Sequence, residues 1–296
     1  MTSKRAYFVS QTFMRPRKIS VAIVFLIGLY IGLSPSTGWP LYSAIIFKPD
    51  RRKHDVDEAL KYIKDNYHVQ KRDVSFRSAN GKKLCGWFFE LPHTKRVFLV
   101  SQGRGGNMRK KLNIARSLLM CRGSVFLYDY EGNGESEGVA TLESVCDDAV
   151  GAFDYLVKVE KRDGKDIVAY GQSFGTGVTG QLAKRRPVGA VILHSGYPSL
   201  LTAGRDTLPW LWLYPDSCFP KQILDNVAVF RSEHPPLLIV HGTKDNLLPY
   251  RRSEELYYLA KQPKIMLAIP GGDHGCFGTS NEFVTAVEQF LRINSI

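Results

Sequence analysis

Between residues 97 and 291 the chain alternates short, uninterrupted apolar runs with stretches of helical periodicity, and this alternation constrains the fold more than any other feature. The apolar runs lie at 97–100, 125–128, 167–170, 190–193, 237–240 and 265–269. Helical segments are expected at 108–120, 142–159, 174–184, 250–259 and 281–291. Runs that are apolar at every residue must be buried on both faces, which a parallel sheet achieves when helices cover both of its sides. Upstream, 74–78 and 83–90 flank Asn80-Gly81, a pair suited to a two-residue hairpin turn, and this hairpin supplies an antiparallel edge. A short amphipathic helix is expected at 56–67. The predicted class is therefore α/β, with a mostly parallel eight-stranded sheet and helices on both faces.

Ser173 stands in Gly171-Gln172-Ser173-Phe174-Gly175, directly after the apolar run 166–170. A serine on a sharp turn from strand to helix points its hydroxyl away from the backbone, and small flanking residues let strand and helix pass close by. The pentapeptide alone is weak evidence, but two downstream residues strengthen it. Asp245 follows the run ending in His241, and His274 follows the last strand in Gly271-Gly272-Asp273-His274-Gly275. A serine hydroxyl is a poor nucleophile at neutral pH and needs a base, which in turn needs a carboxylate to hold its tautomer. Ser173, His274 and Asp245 can fill these roles, each just past the carboxyl end of a strand. Asp273 is a rival carboxylate, but neighbours on one loop rarely face each other well enough for that bond. Two backbone donors are also needed for a developing oxyanion, each worth about 3 kcal/mol. The amide of Phe174 is one candidate, and that of Arg104, in Ser101-Gln102-Gly103-Arg104-Gly105-Gly106-Asn107, is the other. That loop lacks the spacing of a phosphate-cradling loop, and Gly132-Asn133-Gly134 has its third glycine one position late, at Gly138, for a dinucleotide fingerprint.

With these residues in place, the chain resembles the α/β-hydrolase superfamily, and within it the membrane-anchored serine hydrolases of the serine-aminopeptidase-like branch. The resemblance covers about 42–296 and rests on four ordered matches. They are Asp129-Tyr130-Glu131-Gly132-Asn133-Gly134-Glu135-Ser136-Glu137-Gly138, the Ser173 pentapeptide, His241-Gly242-Thr243-Lys244-Asp245, and Asp273-His274. It implies hydrolysis of esters, thioesters or lipids with no metal or other cofactor. The family loop after the third strand usually begins His-Gly, whereas this chain has Gln102-Gly103 followed by Arg104. Arg104 is expected either to pair with an anionic group on the substrate or to plug the pocket through Glu131 or Glu135.

One segment breaks the alternation. The proline-punctuated aromatic stretch 207–215 is too irregular for a core helix, and 196–222 is read as a cap inserted after strand six, forming an apolar channel over the site. Residues 1–41 are read as a basic segment followed by an apolar anchor or signal, and 42–296 as the hydrolase domain. The run 19–33 is short for a membrane span unless it continues through Trp39, Leu41, Tyr42, Ile45, Ile46 and Phe47. An uncleaved single-pass anchor through 19–47 is preferred to a cleaved signal or a soluble apolar arm. Its orientation stays open, because Lys48, Arg51, Arg52 and Lys53 offset Lys4, Arg5, Arg15, Arg17 and Lys18 on the other side.

The formal net charge of +12 is spread through the chain without an aromatic-basic module, which argues against nucleic acid and for anionic lipid headgroups. Cys85, Cys121, Cys146, Cys218 and Cys276 have neither zinc-binding nor paired spacing, and the first three are expected to be buried, inert thiols. The function expected is serine hydrolysis of an ester or thioester in an acyl-containing small molecule, a lipid or an acylated protein. The alternatives are a serine aminopeptidase, a non-catalytic membrane scaffold with the same fold, and an enzyme that transfers the acyl group to an acceptor other than water.

Overall fold

The computed structural model describes residues 16–219, 224–275 and 281–296. Its elements run α1 (Pro16–Gly32), α2 (Trp39–Ile46), α3 (Asp57–Tyr67), β1 (Gln70–Arg77), β2 (Lys83–Glu90) and β3 (Val97–Ser101). Then follow α4 (Leu112–Met120), β4 (Ser124–Tyr128), α5 (Leu142–Lys158), β5 (Ile167–Gln172), α6 (Phe174–Arg185) and β6 (Ala190–His194). The chain ends with α7 (Leu200–Thr207), α8 (Asn226–Phe230), β7 (Leu237–Gly242), α9 (Arg251–Leu259), β8 (Lys264–Ile269) and α10 (Asn281–Ile293).

The eight strands form one sheet in the order β1-β2-β4-β3-β5-β6-β7-β8. Strands β3 to β8 are parallel, and the β1–β2 hairpin joins them antiparallel through β4. Every residue of β3 to β7 is buried, which is why their sequences read as continuous apolar runs. Two cores follow, one on each side of the sheet. Ala149, Phe153, Val178, Leu182, Phe230 and Leu256 pack beneath α5, α6, α8 and α9. Ile114, Leu118, Phe283, Val287 and Phe290 pack beneath α4 and α10 on the other side. The order reverses at β3, whose neighbours are β4 and β5, and ligands gather outside the carboxyl ends of strands at such a point. The chain has the α/β-hydrolase fold.

Local details depart from the sequence reading. The hairpin closes on Ser78 N–H to the Lys82 carbonyl, leaving Ala79, Asn80 and Gly81 in the turn rather than Asn80-Gly81 alone. The helix expected from 108 begins as a 3-10 turn over Met108–Lys111, because Asn107 caps it by accepting from the Arg109 amide. Cys121 and Cys146 are buried, and burial pushes both thiols up to about 12. Cys85 is only half-buried, beside a polar cavity lined by Arg51, Asp73 and Arg109, which corrects its placement in the core. Cys276 lies outside the described residues.

The single-pass anchor is not borne out. Among the described residues no helix is long and apolar enough to cross a membrane. The run that was to form it is broken: α1 stops at Gly32, a turn at 33–38 follows, and α2 starts afresh at Trp39 with Pro40 in its first turn. The 17 residues of α1 extend about 26 Å, short of the ~30 Å hydrocarbon core. The second half of the apolar run is used inside the protein. Tyr42 is buried against Leu211 and Tyr214, its hydroxyl donating to the Leu33 carbonyl at 2.6 Å. Tyr30 stacks on Tyr214 with ring centres 4.6 Å apart, and the Tyr214 hydroxyl donates to the Tyr30 carbonyl at 2.8 Å. Along α1, Val21, Val24 and Phe25 stay exposed.

Candidate active site

Strand β5 delivers Ser173 to the switch point with φ 52° and ψ −121°, a conformation rarely adopted by a residue with a side chain. Both flanking glycines are required there. A Cβ on Gly175 would lie 2.0 Å from the Ser101 carbonyl oxygen, and one on Gly171 2.5 Å from that of Gly175. The Ser173 amide donates to the His194 carbonyl at 2.8 Å, tying the turn to β6. Phe174 opens α6, so its amide is among the first four of the helix, which have no partner within it. The loop after β3 comes alongside: a Cβ on Gly103 would lie 3.2 Å from the Gln172 carbonyl and 3.3 Å from Ser173 Cβ. Arg104 is thereby carried to the rim of the same cavity as Ser173 and Phe174.

Loops after β7 and β8 bring the other two candidates together. His274 Nδ1 lies 2.7 Å from Asp245 Oδ2, and His274 lines the same cavity as Ser173. Asp273 instead accepts from the Gly275 amide. Burial opposes the charge on Asp245, but hydrogen bonds from His241, from His274 and from the Leu248 amide hold its carboxyl well below the usual carboxylate range. Asp245 Oδ1 accepts the amides of Leu247 and Leu248 at 2.8 and 2.9 Å.

Three residues near the site went unread as site residues in the sequence. Fully buried His241 places Nε2 2.9 Å from Asp245 Oδ2. Its signal was present, four residues before Asp245 at the end of an apolar strand. His194, at the end of β6, is also fully buried, and burial together with the nearby His241 and His274 pushes it down to about 3. Ser195 sits at φ 51° and its hydroxyl donates to the His274 carbonyl at 3.3 Å.

Gln102, at the place of the family histidine, is buried and donates from Nε2 to Asp129 Oδ1 at 3.3 Å and to the Tyr128 carbonyl at 3.4 Å. The Tyr130 hydroxyl donates to the Gln102 carbonyl at 3.1 Å, and Asp129 Oδ1 also accepts the Met108 amide. These bonds fix both ends of the loop that carries Gly103 and Arg104. The plug expected through Glu131 or Glu135 does not form: Glu131 accepts from Asn80 and Glu135 pairs with Lys53. The Arg104 guanidinium donates to the Ile45 carbonyl at 3.4 Å instead.

The cavity itself has a volume of about 260 Å³. Trp39, Ile45 and Ile46 from α2 and its end form one wall, and Leu200, Leu208 and Leu211 from the segment between β6 and β7 form another. Among the described residues that line it Arg104 is the one guanidinium, and none is a carboxylate. Asp206 of α7 pairs with Arg252 of α9 at 2.6 Å, holding that second wall onto the body of the fold.

Residues 92–200 match the family model described as Hydrolase_4: Serine aminopeptidase, S33. An uncharacterized protein of Mycobacterium tuberculosis is 32% identical over 210 residues, covering 69% of this chain and 72% of its own. Alpha/beta hydrolase domain-containing protein 17B of Homo sapiens is 28% identical over 223 residues, covering 73% of each chain. The structure of a Pyrococcus furiosus esterase superposes with a TM-score of 0.66 at 17% identity, over 84% of this chain and 98% of that one. With this sheet order, a strained serine turn, the family match and an alpha/beta hydrolase domain-containing relative, the chain belongs to the α/β-hydrolase superfamily.

Proposed function

We propose that this hydrolase cleaves esters or thioesters of apolar acyl groups through an acyl-enzyme. Ser173 Oγ attacks the acyl carbonyl as His274 Nε2 takes its proton. The amides of Phe174 and Arg104 donate to the oxyanion of the tetrahedral intermediate. Asp245 holds His274 with Nδ1–H toward its carboxylate and stabilises the imidazolium. His274 then returns the proton to the departing oxygen or sulfur, leaving the acyl group on Ser173. Water, deprotonated by the same histidine, releases the acid and restores the serine.

The observation that carries this reading is that Ser173 and His274 open onto a cavity whose walls are mostly aliphatic and aromatic. Such walls suit an acyl chain. The family model's description raises a second reading, an aminopeptidase. A substrate with a free N-terminal ammonium would need an anion to receive it, whereas the cavity rim carries Arg104 and none of the described lining residues is a carboxylate. That charge pattern favours a neutral acyl chain, with any charged part of the leaving group anionic.

Fluorophosphonate labelling of the native chain and of Ser173→Ala tests the nucleophile without a substrate. Labelling confined to the native chain is expected; equal labelling of a folded variant would remove Ser173 from this role. Comparing aminoacyl with medium-chain acyl nitrophenyl substrates then separates the two readings, and faster turnover of the acyl series is expected.

A further inference from the structure

Asp245 is held by four donors, two on each oxygen. The amides of Leu247 and Leu248 take Oδ1, while His274 Nδ1 and His241 Nε2 share Oδ2. Two amides on one oxygen leave a planar carboxylate able to pivot about that oxygen. A further donor on Oδ2 removes the pivot.

His241 is built for that task. Its Nε2 faces two acceptors at 2.9 Å, Asp245 Oδ2 and the Leu248 carbonyl, so this nitrogen carries a hydrogen. Its Nδ1 lies 2.7 Å from Ser253 Oγ and accepts that hydroxyl's hydrogen, while the Gly196 carbonyl lies 3.3 Å from the same oxygen. The edge of Tyr250 closes the ring's flank with centres 5.8 Å apart. The ring is thus fixed from α9, from the loop after β6 and from the loop after β7. The titratable groups near it are Asp245 and His274 on the loops, His194 on β6 and Tyr250 at the start of α9.

We propose that His241 is a positioning residue that keeps the oxygen shared with His274 aimed at His274 Nδ1 and shares the charge on that oxygen. This rests on the roles given above to Ser173, His274 and Asp245. Without the second donor, Asp245 Oδ2 would carry its charge less compensated and would hold a proton on His274 more firmly. Less of the free base would be present near neutrality, and the base that remained would be less well aimed.

The test compares native protein, His241→Leu and His241→Gln, whose side-chain amide can restore a donor toward Asp245. For a neutral acyl ester, His241→Leu should lower kcat about tenfold or more, the size of one charge-assisted hydrogen bond, with KM within about twofold. The acidic limb of its kcat/KM profile should move up by about half a pH unit or more. The downfield proton resonance of His274 Nδ1–H should shift or broaden, and His241→Gln should recover limb and resonance toward native. If His241→Leu does not fold, His241→Asn replaces it, because its shorter amide stops short of Asp245. An unmoved limb and resonance in a folded Leu or Asn variant would overturn the proposal, as would Gln behaving like Leu. The resonance is read without turnover. Absence of any acyl hydrolysis by the native chain would therefore count against the hydrolase reading while leaving the His241–Asp245 coupling decided on its own.

Discussion

Gly103 has less room than Gly105, and meets backbone where Gly106 meets only the flexible Lys110 side chain, because it must let the loop after β3 lie against the Ser173 turn. A methyl group there would press on the Gln172 carbonyl and Ser173 Cβ, so the loop would shift by a few tenths of an ångström. Gly103→Ala should therefore lower kcat by about tenfold or more while changing the melting temperature little, since small misplacements near reacting atoms are costly. Steady-state kinetics paired with a thermal melt would check it. Asp245→Asn should lower kcat about 10³- to 10⁴-fold by holding His274 in the wrong tautomer, with far-UV circular dichroism unchanged. At this scale Ser173, Asp245 and His274 were legible because their spacing follows strand ends. His241 carried a signal in its place at a strand end four residues before Asp245, but the contact between them appears only once the loop that follows folds back.

Helix α5 touches the cavity only through its first residue, Leu142, and otherwise supports the site from a distance. Thr141 and Ser144 satisfy its first amides in a capping box, and one turn further on the buried Asp148 accepts the Glu131 amide at 2.9 Å. That bond shapes the loop after β4, which reaches the Gln102 loop through Asp129. Burial pushes Asp148 up to about 8, against the bond from Glu131, and burial likewise pushes Asp129 up to about 7. The unfolded chain releases the Asp148 proton near 3.8, the ordinary value for an aspartate, so between that pH and about 8 it binds fewer protons than the folded protein. Stability should consequently fall as pH rises through this window, by at most about 1.4 kcal/mol per unit from this group. Asp148→Asn keeps an acceptor for Glu131 and should lose less stability between pH 5 and pH 8 than the native chain, measured by urea unfolding at both. The elements themselves were legible wherever both faces are buried. The exceptions are local: the hairpin turn and the 3-10 entry to α4 depend on single capping bonds that periodicity does not report.

Across the whole molecule, the apolar stretch before residue 48 was the part that hydropathy misread. Composition alone cannot distinguish side chains facing lipid from side chains facing a protein cavity, and Trp39, Ile45 and Ile46 do the latter. The segment between β6 and β7 leans on these residues, and the Asp206–Arg252 pair ties it to α9. Asp206→Ala should loosen that wall, lowering the ratio of kcat/KM for long over short acyl esters by about fivefold, the scale of one or two poorly held methylenes. A chain-length series on both proteins would show it, and an unchanged ratio would mean that the wall stands without the ion pair. The stacking of Tyr30 on Tyr214 has a practical side. Trimming the first forty residues as though they were a dispensable leader would take away the ring that Tyr214 leans on, along with Pro35 and Trp39 from the lining. A shortened protein could keep its sheet and its Ser173 turn and still rank substrates by the shape of an opened trough, so selectivity profiles belong to a polypeptide that retains this segment.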